Sequence, residues 1–150
     1  MDIDRIRNAT DVPLRSLKRS IWWLRKTFFS KPPTPAPALV VDRSAAEMTR
    51  FLGRRYFEPG WEFSYHYHDE DLNLRRVEYR DREEYVWWQT HVRGYETADG
   101  LVLTPHFETE PTEHPNAHLD AHRLDTEEGI GILADVLDDG GIDYREGRVG

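Results

Sequence analysis

Cysteine is absent from this chain of 150 residues. No disulfide is possible within it, and nucleophilic chemistry would have to rest on Ser or Thr. Lysine is scarce: Lys18, Lys26 and Lys31 stand beside 17 arginines. No apolar run approaches the roughly 20 residues that a membrane-spanning helix needs. The opening MDIDRIRNATDV is polar, and no apolar stretch of the signal-peptide kind follows it. Catalytic GxSxG, Walker-type and dinucleotide-binding glycine patterns are missing. These absences imply no cofactor and favour a location in the cytoplasm or within a virus particle.

What is present is an excess of acid and a good share of aromatic residues. Asp and Glu number 28 against 20 Lys and Arg, for a net charge of −8, and aromatic residues make up 12%. The aromatic content argues for a packed core over at least part of the chain. An excess of carboxylates with few lysines resembles proteins from salt-loving organisms. There, acidic groups keep a surface hydrated when salt screens charge within a few ångströms.

Charge is unevenly distributed. Residues 1–31 hold eight Arg or Lys against three Asp, so the rest of the chain is strongly acidic. This divides the protein into a basic arm with a proline-rich linker, 1–38, and an acidic domain, 39–150. Within the arm, Leu14, Leu17, Ile21, Leu24 and Phe28 recur at spacings of three and four, which predicts an amphipathic helix. Trp22 widens its apolar side, and Arg25 lies on the basic remainder. Pro32 and Pro33 end the helix, and Pro35 and Pro37 continue a stiff spacer. Residues 14–29 therefore suit docking on a protein partner or on a second copy. Peripheral membrane contact is a further option for such a helix. Nucleic acid is a poor fit to so acidic a body.

The domain reads as α+β: an antiparallel sheet of about five strands with helices on one face, preceded by the basic amphipathic helix on its spacer. Leu39 to Val41 suggest a short strand. Ser44 and Glu47 have capping-box spacing before a helix to about Tyr56. Glu58-Pro59-Gly60 reads as a turn. WEFSYHYH, 61–68, alternates cleanly and predicts a strand. From Leu72 to Arg80 the apolar residues change face, which suggests a bulge or a twist midway. Ala98-Asp99-Gly100 reads as a hairpin turn, and Pro105 as a strand edge or bulge. Residues 117–124 fit a strand better than a helix, with Asp125 or Thr126 capping the next helix, which ends at Gly140-Gly141. Gly129 and Gly131 inside that helix suggest close packing on the sheet.

At the centre lies Tyr85 to Thr97, YVWWQTHVRGYET. As a strand it places Trp87, Gln89, His91 and Arg93 on one face, and Trp88, Thr90 and Val92 on the other. Large side chains on both faces predict a strand covered on both sides. A pocket on the sheet would draw on Trp61, Tyr65, Tyr67, Trp87 and Trp88, with His91 and Arg93 as polar contacts.

All seven histidines lie between positions 66 and 122. On a strand, His118, Asp120 and His122 share one face, and two His with a carboxylate form a metal-ligand set. Glu108, Glu110 and Glu113 lie near His106 and His114 in the sequence, which permits acid–base work. The leading expectation is a non-enzymatic interaction or assembly module, a small structural part of a cellular or viral complex. The alternative is a small-ligand-binding protein or enzyme with an aromatic and histidine-lined sheet pocket.

Overall fold

The computed structural model describes residues 20, 32–33, 35–60, 67, 69–119 and 123–149. The chain divides into two compact units, Met1–Pro32 with Tyr65–His68 and Pro33–Ser64 with Asp69–Gly150. Of the first, Ser20, Pro32 and Tyr67 are described. Apart from Ser20 and Tyr67, the helix expected over 14–29 and the strand expected over 61–68 fall outside the described residues. The elements that follow belong to the second unit.

It is an α+β structure built on one antiparallel sheet. The order along the chain is β1 (Ala36–Val41), α1 (Ala45–Gly53), β2 (Glu58–Pro59), β3 (Leu72–Arg82), β4 (Tyr85–Thr97), β5 (Gly100–Thr109), α2 (Pro115–Leu119), α3 (Thr126–Asp139) and β6 (Tyr144–Val149). The six strands lie in the order β2-β3-β4-β5-β1-β6. No helix among the described residues is long and apolar enough to cross a membrane.

Local chemistry accounts for most boundaries. Ser44 and Glu47 form a reciprocal capping box at the start of α1, which satisfies two backbone donors that the helix leaves unpaired. The Asp125 side chain accepts from the Glu128 N–H at the start of α3. Gly141, at φ 66, ends that helix, and the Ile142 N–H returns to the Leu137 carbonyl. β1 begins at Ala36, so the last residues of the proline-rich stretch pair with β6.

Three expectations about local structure are corrected. Glu58 and Pro59 are a short edge strand paired with Arg75 and Leu74, a position that tolerates proline. The register of β3 against β4 is regular from Leu72 to Tyr79, and its irregularity lies between Tyr79 and Arg82. The change of face along β3 therefore needs no bulge midway, because both faces of the strand meet side chains. Residues 115–119 are helix, not strand. The turn is already wound before Pro115, since the His114 N–H bonds Glu110 O and the His118 N–H bonds His114 O. Proline is well suited to the first helical position that follows.

Pro105 sits opposite Val92 in β5 and interrupts nothing. Phe107 exchanges both backbone hydrogen bonds with Asp125, away from β4. Pro105, two residues earlier, points its missing donor the same way, beyond the end of the β1 pairing.

The sheet has two unlike faces. One carries Leu39, Val41, Leu72, Leu74, Val92, Leu101 and Leu103 against Met48, Phe51 and Leu52 of α1 and Leu133 and Leu137 of α3. Each fully buried side chain of this size contributes about 1.5–3 kcal/mol. Trp88 lies on this face, 1% exposed, stacked on Phe107 at 5.1 Å with its Nε1 donating to Arg80 O. α3 lies tight against β5 at Gly129, where a Cβ would stand 2.4 Å from His106 Cα, in line with the helix-packing expectation. At Gly131 nothing lies within 4 Å, so that glycine is not needed for packing.

β4 is buried on its other face too from Gln89 to Arg93, although Trp87, the tryptophan of that face, is 37% exposed. That second face is not apolar where it is deepest. It carries Gln89, His91 and Arg93, all buried.

Candidate functional site

The polar face is set by the β4–β5 hairpin. Thr97 pairs with Gly100, so equal steps back along the two strands put His91 opposite His106 and Gln89 opposite Glu108. On the other side of β4, Arg75 of β3 faces His91 and Asn73 faces Arg93. The period of two then aims all of these side chains to one side. The short helix α2 adds His118, whose Nδ1 contacts Thr109 O at 3.2 Å.

Glu108 is the focus, with a side chain only 5% exposed. Gln89 Nε2 donates to its Oε1 at 2.7 Å, and His106 Nε2 stands 3.0 Å from the same oxygen. His118 Nδ1 lies 3.3 Å from Oε2, and His91 Nδ1 lies 3.9 Å from Oε1. Burial pushes the Glu108 carboxyl up. The hydrogen bond and charge of His106, the charge of His118 and the Gln89 hydrogen bond reverse that and hold it below its ordinary value.

His91 is held neutral. Burial is the main cause, followed by the positive charge of Arg93 and then His106, His118 and Arg75, and its pKa falls well below 6.5. Its tautomer follows from the neighbours. Asn73 Nδ2 donates to Glu70, so Asn73 Oδ1 faces His91 Nε2 at 2.6 Å and that nitrogen carries the proton. Nδ1 is left with a lone pair on the side of Glu108. Gly60 allows this arrangement: a Cβ there would lie 2.0 Å from Asn73 Oδ1.

The cations of the layer have carboxylate partners. Arg93 pairs with Glu70. Arg75 pairs with Glu110 at 2.8 Å and with Glu58 at 3.3 Å. Glu110 also accepts from Thr112 and from the Glu113 N–H. Burial raises its pKa, but these bonds together with Arg75 outweigh that, for a net depression. Solvent reaches the centre at His106 and His118, each with a side chain 20% exposed.

The sequence-predicted residues separate into groups. His91 and Arg93 lie in the layer and His118 joins it. Trp87 is on the same face of β4 but is 37% exposed, edge-on to Tyr79 at 5.5 Å. Trp88 is on the opposite face, in the helix-covered core. Tyr67 is half-buried and belongs to the first unit. Trp61, Tyr65, Asp120, His122 and the residues expected to dock a partner, Leu14, Leu17, Ile21, Trp22, Leu24, Arg25 and Phe28, lie outside the described residues. His114 stands apart, accepting from the Trp87 N–H at 3.2 Å beside Tyr85.

Asn73, Arg75, Gln89 and Glu70 carry no signal in the sequence beyond being polar residues on or beside strands. His106 and Glu108 do: once the hairpin register is known, they fall opposite His91 and Gln89. Compared with protein-family models, with curated proteins and with solved structures, the chain matches none.

Proposed function

We propose that the described unit is a small-ligand-binding domain whose centre is the polar sheet face around Glu108. The observation that supports this is the convergence of three imidazoles, His91, His106 and His118, on one buried carboxylate. Taking a charged group out of water costs several kcal/mol, and a well-packed apolar layer of similar volume is often at least as stable. A sheet that already has an apolar face covered by α1 and α3 gains little stability from a second face of this composition. Groups so placed and so oriented are suited to holding a ligand.

A thermal-shift screen of the whole chain in molar salt tests the reading, using divalent ions, small anions and small polar organic molecules as probes. At least one probe should raise the unfolding temperature of the native protein and leave Glu108→Leu unchanged. If every probe leaves both proteins alike, the reading is lost.

A second reading gives residues 14–29 the docking role described above, supported by the charge contrast between residues 1–31 and the rest of the chain. Its occupant would be a protein partner or another copy, as in an assembly module. Light scattering of Ile21→Asp tests self-association. An unchanged mass in a protein that is oligomeric to begin with would remove that support.

A further inference from the structure

We infer that the centre binds a divalent transition-metal ion, with His91, His106 and Glu108 as its protein ligands. One ring nitrogen of each histidine and one oxygen of Glu108 lie within 4.8 Å of one another. The inference rests on the ligand-binding reading and names the ligand.

The geometry is close to what an ion needs. Ligands held at about 2.0–2.1 Å around a tetrahedral ion stand roughly 3.3 Å apart. His106 Nε2 and Glu108 Oε1 are at 3.0 Å, and His91 Nδ1 and Glu108 Oε1 at 3.9 Å. Side-chain adjustments close the set, since all three ligand atoms already lie within 4.8 Å of one another. The backbone beneath is already fixed, since His91 and His106 are opposite each other in a paired ladder and Glu108 is one pleat further on. The two rings are 5.0 Å apart and edge-to-face, so they do not stack.

The tautomer of His91 also suits a metal. A metal-bound histidine must present a lone pair and commonly donates its other ring N–H to an oxygen acceptor. His91 does this through Nε2 to Asn73, which Glu70 in turn orients. The ligating carboxylate is likewise held from outside: His118 Nδ1 approaches Oε2, and Gln89 donates to Oε1. His118 is therefore a positioning residue in this scheme. Arg93 and Arg75 are drawn toward Glu70 and Glu110, so their charges are offset.

Donor type selects the ion. Two imidazoles with one carboxylate suit zinc, cobalt, nickel or ferrous iron, whereas magnesium and calcium prefer oxygen ligands throughout. Three protein ligands leave at least one coordination position for water or substrate. The partly exposed side of the centre, at His106, is where that position is accessible.

The test uses the full chain, stripped with a chelator and dialysed. Zinc is titrated by calorimetry, and cobalt by the visible absorption that distinguishes low-coordinate sites from the hydrated ion. One equivalent is expected, with the cobalt band intensified. Glu108→Gln and His106→Asn, both close in shape, should each weaken zinc binding by at least about 100-fold, and His118→Ala by about 10-fold. His114→Ala should bind like the native protein. Circular dichroism melts confirm that each variant is folded, and His91→Asn serves if either of the first two is not. Failure to bind zinc or cobalt, or binding that survives Glu108→Gln and His106→Asn, overturns the inference. A small molecule that still protects the native protein but not Glu108→Leu would then uphold the ligand-binding reading alone. With no probe protecting, both fall.

Discussion

Asn73 Oδ1 accepts a 2.6 Å hydrogen bond from His91 Nε2, and the same amide donates 2.8 Å to Glu70. One short side chain thus fixes both the tautomer of a buried imidazole and the position of a buried carboxylate. Replacing it with Leu removes one hydrogen bond from the His91 N–H and one from the Glu70 carboxylate. Asn73→Leu should lose about 1–3 kcal/mol in urea unfolding. Nitrogen-15 NMR of the His91 ring should place the proton on Nε2 in the native protein and on a mixture of sites in the variant. A variant as stable as the native protein, with its proton still on Nε2, would show that Asn73 does not set the tautomer.

The metal-free protein should lose stability as it is acidified, in two stages. Burial first, and then Arg93 with His106, His118 and Arg75, depresses the folded His91 pKa well below 6.5. The unfolded chain takes up a proton near 6.5 and the folded chain does not, so acid favours unfolding from that point downward. The slope is up to about 1.4 kcal/mol per pH unit. Glu108 and Glu110 act lower down. Their folded values lie below 4.5, so their contribution is present above 4.5 and is lost as pH falls through the folded values. His91→Gln should abolish the first stage and keep the second. Urea unfolding between about pH 8 and about pH 2 reads both stages, and identical curves for the two proteins would assign the first to another group.

Much of the scaffold is readable from the chain, and the centre nearly so. The period of two along β4, the Ser44–Glu47 box and the Asp125 cap are local patterns, and local patterns survive folding. The centre depends on register, which is not local. Reading Ala98-Asp99-Gly100 as a three-residue turn sets His91 opposite Phe107. The two-residue turn of the structure sets it opposite His106. A slip of one residue sends every partner to the other face, so the same sequence yields either an unremarkable strand or a cluster of histidines. Asn73 and Glu70 were beyond reach for another reason. Their role is to orient His91 from a neighbouring strand and from the turn before it, and no spacing within one element encodes that.

Trp87 and Trp88 are neighbours in sequence with opposite surroundings. Trp88 is fully enclosed, stacked on Phe107, with Arg82 at 5.4 Å from its ring and its N–H satisfied by Arg80 O. Trp88→Ala removes that packing and should cost about 3–5 kcal/mol. Trp87 is 37% exposed and its main contact is the edge of Tyr79. Trp87→Ala should cost no more than about 0.5–1.5 kcal/mol. Denaturant melts of the two variants check the order, and equal losses would mean that the two faces of β4 are not packed as described.

Gly129 and Gly131 make the sharpest pair. Both sit in α3, where replacing glycine with alanine gains up to about 1 kcal/mol of helix propensity. At Gly131 nothing lies within 4 Å of the added carbon, so Gly131→Ala should realise that gain. At Gly129 the added carbon would stand 2.4 Å from His106 Cα and 2.7 Å from its nitrogen, both backbone atoms that cannot swing aside. The helix must then lift from β5, or β5 must bow beneath it, at the strand position that carries His106 on the other side. Gly129→Ala should therefore be less stable than the native protein despite its better propensity, and its zinc affinity should fall although no ligand has changed. Melting curves and calorimetry on the two variants read both effects. If Gly129→Ala is stabilised like Gly131→Ala, α3 does not rest on the strand beneath His106, and the backing assigned to the polar centre is wrong.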